Sequence, residues 1–247
     1  IRLKHITNLM VRMQSNSKMT DSEATIKQAK KKMRKEIDAK LRQLTAADVQ
    51  QQSDQVQAKL FAHEAFHRAR RVGLYLSLPS IEIDTVRILE QCFRLGKQCF
   101  VPRYKPKSKH MDFVELRSMD DFESLPLEPK WLIKQPSPMD SSRMEALSTG
   151  GLDLLLIPGV AFTFQGLRLG HGGGYFDTWL ARCAQTPNIQ HPLTIALALN
   201  EQIVSDLPVS EWDVLVDEVL APCCHTSKSP LQAKSDNNGI EYKNKNN

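Results

Sequence analysis

Four short apolar stretches limit what this chain can fold into. Residues 72–78, 98–101, 152–157 and 193–199 are each about the length of a strand and are apolar on both alternating faces. A strand covered on both faces belongs to a parallel sheet, whose crossover connections lay helices over it. Between the first two stretches lies a helix signal, with Asp84 at the N-cap position, Thr85, Ile88, Leu89, Cys92 and Phe93 on one face, and Gly96 just past the end. Strand, capped helix and strand within about 30 residues make a βαβ unit. The predicted fold is therefore α/β, a three-layer sandwich around a mainly parallel sheet in a single domain.

Two helices precede the first strand. Over 22–45, Met33, Ile37, Leu41 and Leu44 recur at helical spacing opposite a face rich in Lys and Arg, and a second helix over 48–68 carries Val56, Leu60 and Phe61 without an internal Gly or Pro. Residues 118–150, rich in Pro, Ser and charge, read as one long loop. With 247 residues, 41% of them hydrophobic, the chain can bury one core. The domain is placed at 23–224. Before it, residues 1–22 form a disordered leader or a transit peptide, since Arg2, Lys4, Arg12 and Lys18 have no acidic neighbour among the first 20 residues; after it, 225–247 form a disordered polar tail.

The net charge of +5 is local: residues 1–42 hold 12 Lys/Arg against 4 Asp/Glu, and the other 205 residues sum to −3. Such a cationic arm attracts nucleic acid or a membrane surface, or meets nucleotide phosphates. The five cysteines include no Cys-x-x-Cys pair and read as reduced thiols of an intracellular protein. Cys223, Cys224 and His225 are adjacent, and adjacent side chains seldom converge on one ion. No apolar run approaches the ~18 residues of a membrane span. The expected location is cytoplasmic, or mitochondrial if residues 1–20 are a transit peptide.

The densest signal lies over 157–177, where a buried strand leads through Gly166, Gly170, Gly172, Gly173 and Gly174 into a helix with Tyr175, Phe176, Trp179, Leu180 and Cys183 on one face. A strand end, a glycine turn and a helix N-terminus form an anion site, because backbone N–H groups approach phosphate oxygens and the helix dipole adds roughly 0.3–1 kcal/mol. The spacing fits neither a Walker A loop nor a dinucleotide fingerprint. A tight turn with no ligand would show the same glycines, so both readings stand at this level. Lys30 and Arg34, four apart, share one helix face and suit phosphate, or else form a solvated face.

The whole string narrows the choice. Pro158-Gly159-x-Ala161-Phe162, Gly166-x-Arg168-Leu169-Gly170-x-Gly172-x-Gly174 and Tyr175-Phe176-Asp177 resemble the signature of 5-formyltetrahydrofolate cyclo-ligases, also called methenyltetrahydrofolate synthetases. Lys30-x-x-x-Arg34, Tyr75-Leu76-Ser77, Glu82, Asp84-Thr85, Val101-Pro102-Arg103-Tyr104, Met111, the stretch 146–153, Asp213 and Val216-Asp217 match in order, so the resemblance covers 25–222.

The resemblance implies an ATP- and Mg²⁺-dependent ligase that closes 5-formyltetrahydrofolate to 5,10-methenyltetrahydrofolate. The formyl oxygen would take the γ-phosphoryl group, N10 would add to the carbon, and phosphate would leave. It assigns ATP to Lys30, Lys31, Lys32, Met33 and Arg34, and to Arg168, Leu169, Gly170, His171, Gly172, Gly173, Gly174, Tyr175 and Phe176. The folate falls to Leu76 and Glu82 with His171 through Tyr175, and Mg²⁺ to Asp177 and Asp213, whose hard oxygens suit it. Asp177 also sits where an acid offsets a helix dipole. Tyr104 and Trp131 are candidate stacking partners for pterin or adenine. Thr163 stands where the family usually has Asp, and Gly173 where some members have Lys. A monomer acting on a small molecule, without nucleic acid or membrane, is expected. The rivals are a non-catalytic paralogue that binds nucleic acid through its basic N-terminus, and a sugar-phosphate isomerase or CoA-transferase-like enzyme on a related fold.

Overall fold

The structure, a computed structural model, describes residues 21–78, 81–105, 108, 110–128 and 133–222. Helices α1 (Asp21–Leu41), α2 (Ala46–Phe61) and α3 (Glu64–Arg68) precede β1 (Arg71–Gly73), which leads through α4 (Val86–Arg94) to β2 (Gln98–Tyr104) and β3 (Met111–Leu116). Next come α5 (Met119–Ser124), the antiparallel pair β4 (Leu127–Glu128) and β5 (Ile133–Lys134), and a 3₁₀ turn at Leu147–Thr149. The chain continues through β6 (Leu154–Ile157), the pair β7 (Ala161–Phe162) and β8 (Arg168–Leu169), α6 (Tyr175–Gln185), β9 (Leu193–Leu197) and β10 (Glu218–Leu220).

Six strands form one sheet in the order β10-β9-β6-β1-β2-β3, parallel throughout except for the antiparallel edge pair β2–β3. All four residues of β6 are buried, as a central strand covered on both faces requires. Alternation along β2 fixes the layers. Cys99 meets Cys92 of α4, whereas Pro102, three residues on and so on the opposite face, pairs with Phe113, whose ring packs on Phe176 and Trp179 of α6 at 5.9 and 4.9 Å. Helices thus cover both faces, and the α/β expectation holds.

Several boundaries differ from those the sequence predicts. The helix expected over 48–68 breaks at Ala62–His63, where extended backbone at His63 lets its Nδ1 accept the Ala65 N–H at 3.1 Å and cap α3; no Gly or Pro marks the break. The N-cap of α4 is Thr85, not Asp84, although Asp84 Oδ1 still accepts the Val86 N–H at 2.9 Å. Thr85 Oγ1 is used instead by the Ser77 N–H.

The stretch 118–150 is not one loop. Ser118 caps α5, and Arg143, its side chain 7% exposed, bridges Asp121 and Asp140 at 2.6 and 2.8 Å, pinning the segment after β5 to α5. Residues 1–20 and 223–247, and with them most of the predicted leader and all of the tail, lie outside the described residues. Among those described, no helix is long and apolar enough to cross a membrane.

Candidate active site

The glycine stretch leaves the carboxyl end of β6, turns through β7 and β8, and reaches α6 through residues 170–174. Gly172 and Gly174 have φ of +103° and +70°, a region L side chains rarely adopt, and Gly174 is the N-cap of α6 with no side-chain cap. The loop is thus shaped by backbone angles that glycine adopts without strain.

Two helical turns of α1 lie against this loop. Arg34 Nε donates to the Gly170 carbonyl at 2.8 Å, and its guanidinium lies over Gly172, where an added Cβ would stand 3.5 Å away. One turn earlier, Lys30 pairs with Asp213 and donates to Ser210 Oγ at 2.9 Å, while Asp213 Oδ2 accepts the Ser210 N–H at 2.7 Å. Behind the loop, Arg168, its side chain 4% exposed, donates from Nη2 to Asp177 Oδ1 at 2.6 Å. Its buried Nε–H has no hydrogen-bond partner among the described residues, so the cleft retains an unmet donor there.

A cavity of about 240 Å³ opens in front of the loop, and its far side is mainly apolar and aromatic, with Glu82, Glu128 and Lys134 among its lining residues. Leu76, Tyr75 and Tyr104 line it, and the Tyr104 and Tyr175 rings meet edge to face at 4.7 Å. Glu82 lies buried in this wall, with Oε2 accepting the Leu78 N–H at 2.7 Å and Oε1 lying 3.7 Å from His171 Nε2. Burial raises the Glu82 carboxyl to about 7, the Leu78 N–H opposing the shift. His171 is held below its ordinary value by desolvation, then by the charges of Arg168 and Arg34. Burial pushes the Tyr75 and Tyr104 hydroxyls up, with Glu82 adding to the shift.

Leu76, Glu82, Tyr104, Arg168, Gly170, His171, Gly173, Gly174, Tyr175, Phe176 and Asp177 therefore converge on one cleft, with Arg34 beside it. Others do not. Lys31 and Lys32 point to solvent, Lys32 lying 3.8 Å from Glu36, and Met33 packs on the core, because a helix presents only every third or fourth residue to one neighbour. Leu169 is buried, with its carbonyl accepting the Val160 N–H. Trp131 lies outside the described residues.

The two departures from the family pattern have local accounts. Thr163 is fully buried and its Oγ1 accepts the Leu167 N–H at 3.2 Å, closing the turn between β7 and β8. At Gly173 a Cβ would lie 2.6 Å from the Tyr175 ring, so this tyrosine occupies the room a lysine stem would need. The sequence reasoning missed Tyr75, Pro102, Lys134 and Gln135 as cleft-lining residues. Tyr75 adjoins Leu76 in the matched string, but nothing local marks the β4–β5 wall.

Among the described residues, no three His, Cys, Asp or Glu side chains are grouped to hold a metal ion. Asp177 and Asp213 each stand against a cation instead. This donor set suits Mg²⁺, which takes one or two carboxylates and completes its shell with phosphates and water, better than a metal caged by protein alone.

The sequence matches the 5-formyltetrahydrofolate cyclo-ligase family over residues 26–222. It is 44% identical over 196 residues to the Mus musculus 5-formyltetrahydrofolate cyclo-ligase, covering 79% of this chain and 95% of the mouse protein. To the mitochondrial 5-formyltetrahydrofolate cyclo-ligase of Arabidopsis thaliana it is 29% identical over 236 residues, 90% of this chain and 84% of that protein. The structure is similar to that of the Aquifex aeolicus 5,10-methenyltetrahydrofolate synthetase, with a TM-score of 0.60 at 24% identity over 77% of this chain and 88% of that one, which shows a common fold. A match that begins within α1 and runs past β10, at 44% identity to the mouse protein, makes this chain a member of the 5-formyltetrahydrofolate cyclo-ligase family.

Proposed function

We propose that this enzyme uses ATP and Mg²⁺ to close 5-formyltetrahydrofolate into 5,10-methenyltetrahydrofolate, releasing ADP and phosphate. The observation that carries the reading is one cleft with two unlike sides: Arg168 and the glycine loop, with Arg34 and then Lys30 of α1 packed beside them, and a mainly apolar and aromatic wall holding Glu82. The names of the relatives point to the same reaction.

The formyl carbon is an amide carbon and a poor electrophile, and ATP supplies the phosphoryl group that turns the formyl oxygen into a leaving group. The chain's own part is alignment and charge stabilisation. Arg34 and Arg168, with the glycine-loop amides and the uncapped start of α6, would hold phosphate oxygens. Asp177 and Asp213, which face Arg168 and Lys30, would hold Mg²⁺. Glu82 would accept the N–H groups of the pterin ring, with Leu76 and Tyr104 against the ring's faces. No protein nucleophile is needed.

We place the enzyme in the cytoplasm, unless residues 1–20 direct the import that the plant relative's name suggests. The activity is tested by mixing the full chain with 5-formyltetrahydrofolate, ATP and Mg²⁺ and following the near-ultraviolet absorbance of the methenyl product. Product should form only in the complete mixture. Product without ATP, or none although both ligands bind, would sink the reading.

A further inference from the structure

His171 has no role in the alignment just described, yet it stands where the glycine loop approaches the wall that holds Glu82. Its backbone neighbours on both sides are in contact with α1, Gly170 through its carbonyl to Arg34 Nε at 2.8 Å and Gly172 beneath the same guanidinium. Its side chain points the other way, with Nε2 3.7 Å from Glu82 Oε1. The opposite Glu82 oxygen is taken by the Leu78 N–H, so the oxygen that faces the cleft is the one that faces His171. The imidazole therefore lies between two arginines meant for phosphate and a carboxyl meant for the pterin.

Resting on the proposed reaction, we infer that His171 is a positioning residue that couples the two substrates: a polyphosphate seated against Arg34 and Arg168 favours the imidazolium, and the imidazolium holds Glu82 as the carboxylate that grips the pterin. Without nucleotide, desolvation and then the two arginines disfavour a proton on His171, and burial disfavours charge on Glu82. A phosphate anion against the arginines offsets their charges and adds a negative charge beside the imidazole, which favours its protonation. Each change then supports the other, because an imidazolium beside Glu82 lowers the cost of ionising a buried carboxyl. The other ionisable side chains that line the cleft, Asp177, Tyr75, Tyr104, Tyr175, Glu128, Lys134 and Arg168, include no second histidine to make this link. Asp177 on α6 is engaged by Arg168, and the Tyr75 and Tyr104 hydroxyls are held in their neutral form. Lys134 on β5 is tied to Glu123 and to the Phe122 and Glu123 carbonyls.

Linkage makes the coupling reciprocal: nucleotide tightens folate binding by the same factor as folate tightens nucleotide binding. The test is calorimetric titration of 5-formyltetrahydrofolate into the full chain, with and without Mg²⁺ and a non-hydrolysable ATP analogue, in two buffers of different ionisation heat. At about neutral pH the analogue should tighten folate binding by about fivefold or more. At about pH 8, where Glu82 is already ionised and gives up little proton to offset the one His171 gains, the analogue should also bind with net proton uptake. His171→Gln should lose both effects. His171→Arg, charged at every pH used, should bind folate without needing the analogue and show a flattened pH dependence. Coupling and proton uptake that persist in His171→Gln overturn the inference. If the glutamine variant does not fold, wild-type pH dependence in His171→Arg overturns it alone. A wild-type chain that binds no analogue, or turns over no folate, fails the proposed reaction instead.

Discussion

The two halves of the cleft both display carboxyl groups, and they treat them in opposite ways. On the rim, Asp177 faces Arg168, and beside it, outside the cleft lining, Asp213 faces Lys30, each within hydrogen-bonding distance of a cation. In the wall, Glu82 accepts the Leu78 N–H, lies among Leu76, Tyr75 and Tyr104, and is pushed up to about 7. Pairing keeps charge in place at a partly wet surface, whereas burial without a matched cation suppresses it. A polyanion needs the first environment. A flat, largely neutral ring with N–H groups to satisfy needs the second.

The contrast breaks most readily at Arg168. Replacing it with Ala removes a buried guanidinium aimed at the rim and leaves Asp177 without its partner, so kcat/KM should fall by about 100-fold or more. A loss below about tenfold in steady-state assays would mean that the rim does not stabilise charge in the reaction.

Glu82→Gln sharpens the other side. Its folded value lies above the unfolded value of about 4.5, so its contribution to stability is complete below about 4.5 and is lost as pH rises through about 7. Above that range the buried carboxylate costs about 2–4 kcal/mol. Glutamine should therefore raise stability at pH 8 but not at pH 4, as read by urea denaturation, while weakening folate binding. Equal stability of the two proteins at pH 8 would show that the wall is not dry.

The smallest effect is expected behind the rim. Thr163→Ala removes the acceptor of the Leu167 N–H and should cost about 1–2 kcal/mol of stability while leaving the KM for ATP unchanged. A severalfold rise in that KM would place Thr163 in the charged half after all.

Much of the rim is legible in the sequence because its signals are local. Gly172 and Gly174 are required by their own backbone angles, α6 announces itself by the spacing of Phe176, Trp179, Leu180 and Cys183, and Lys30 and Arg34 share a face because they are four apart. The same periodicity, read more strictly, turns the side chains of Lys31 and Lys32 to solvent and Met33 to the core. The wall is another matter. Tyr75 and Gln135 meet there only because β1 leads into it and β5 folds back over the end of β2, where Gln135 Oε1 accepts the Tyr104 N–H at 3.3 Å. Thr85 shows the same limit, since its hydroxyl turns from helix capping to the distant Ser77 N–H.

By itself, the sequence determined the parallel sheet, the helices that cover it and the glycine loop, since hydrophobic period and permitted φ are properties of neighbouring residues. Only the tertiary structure decided which charges meet and which acid stays dry. Lys30 reaches Asp213 across 183 positions, and Glu82 acquires its altered acidity by burial in a cleft lined from distant parts of the chain. Desolvation and Coulomb attraction act through space, so no spacing along the chain encodes them.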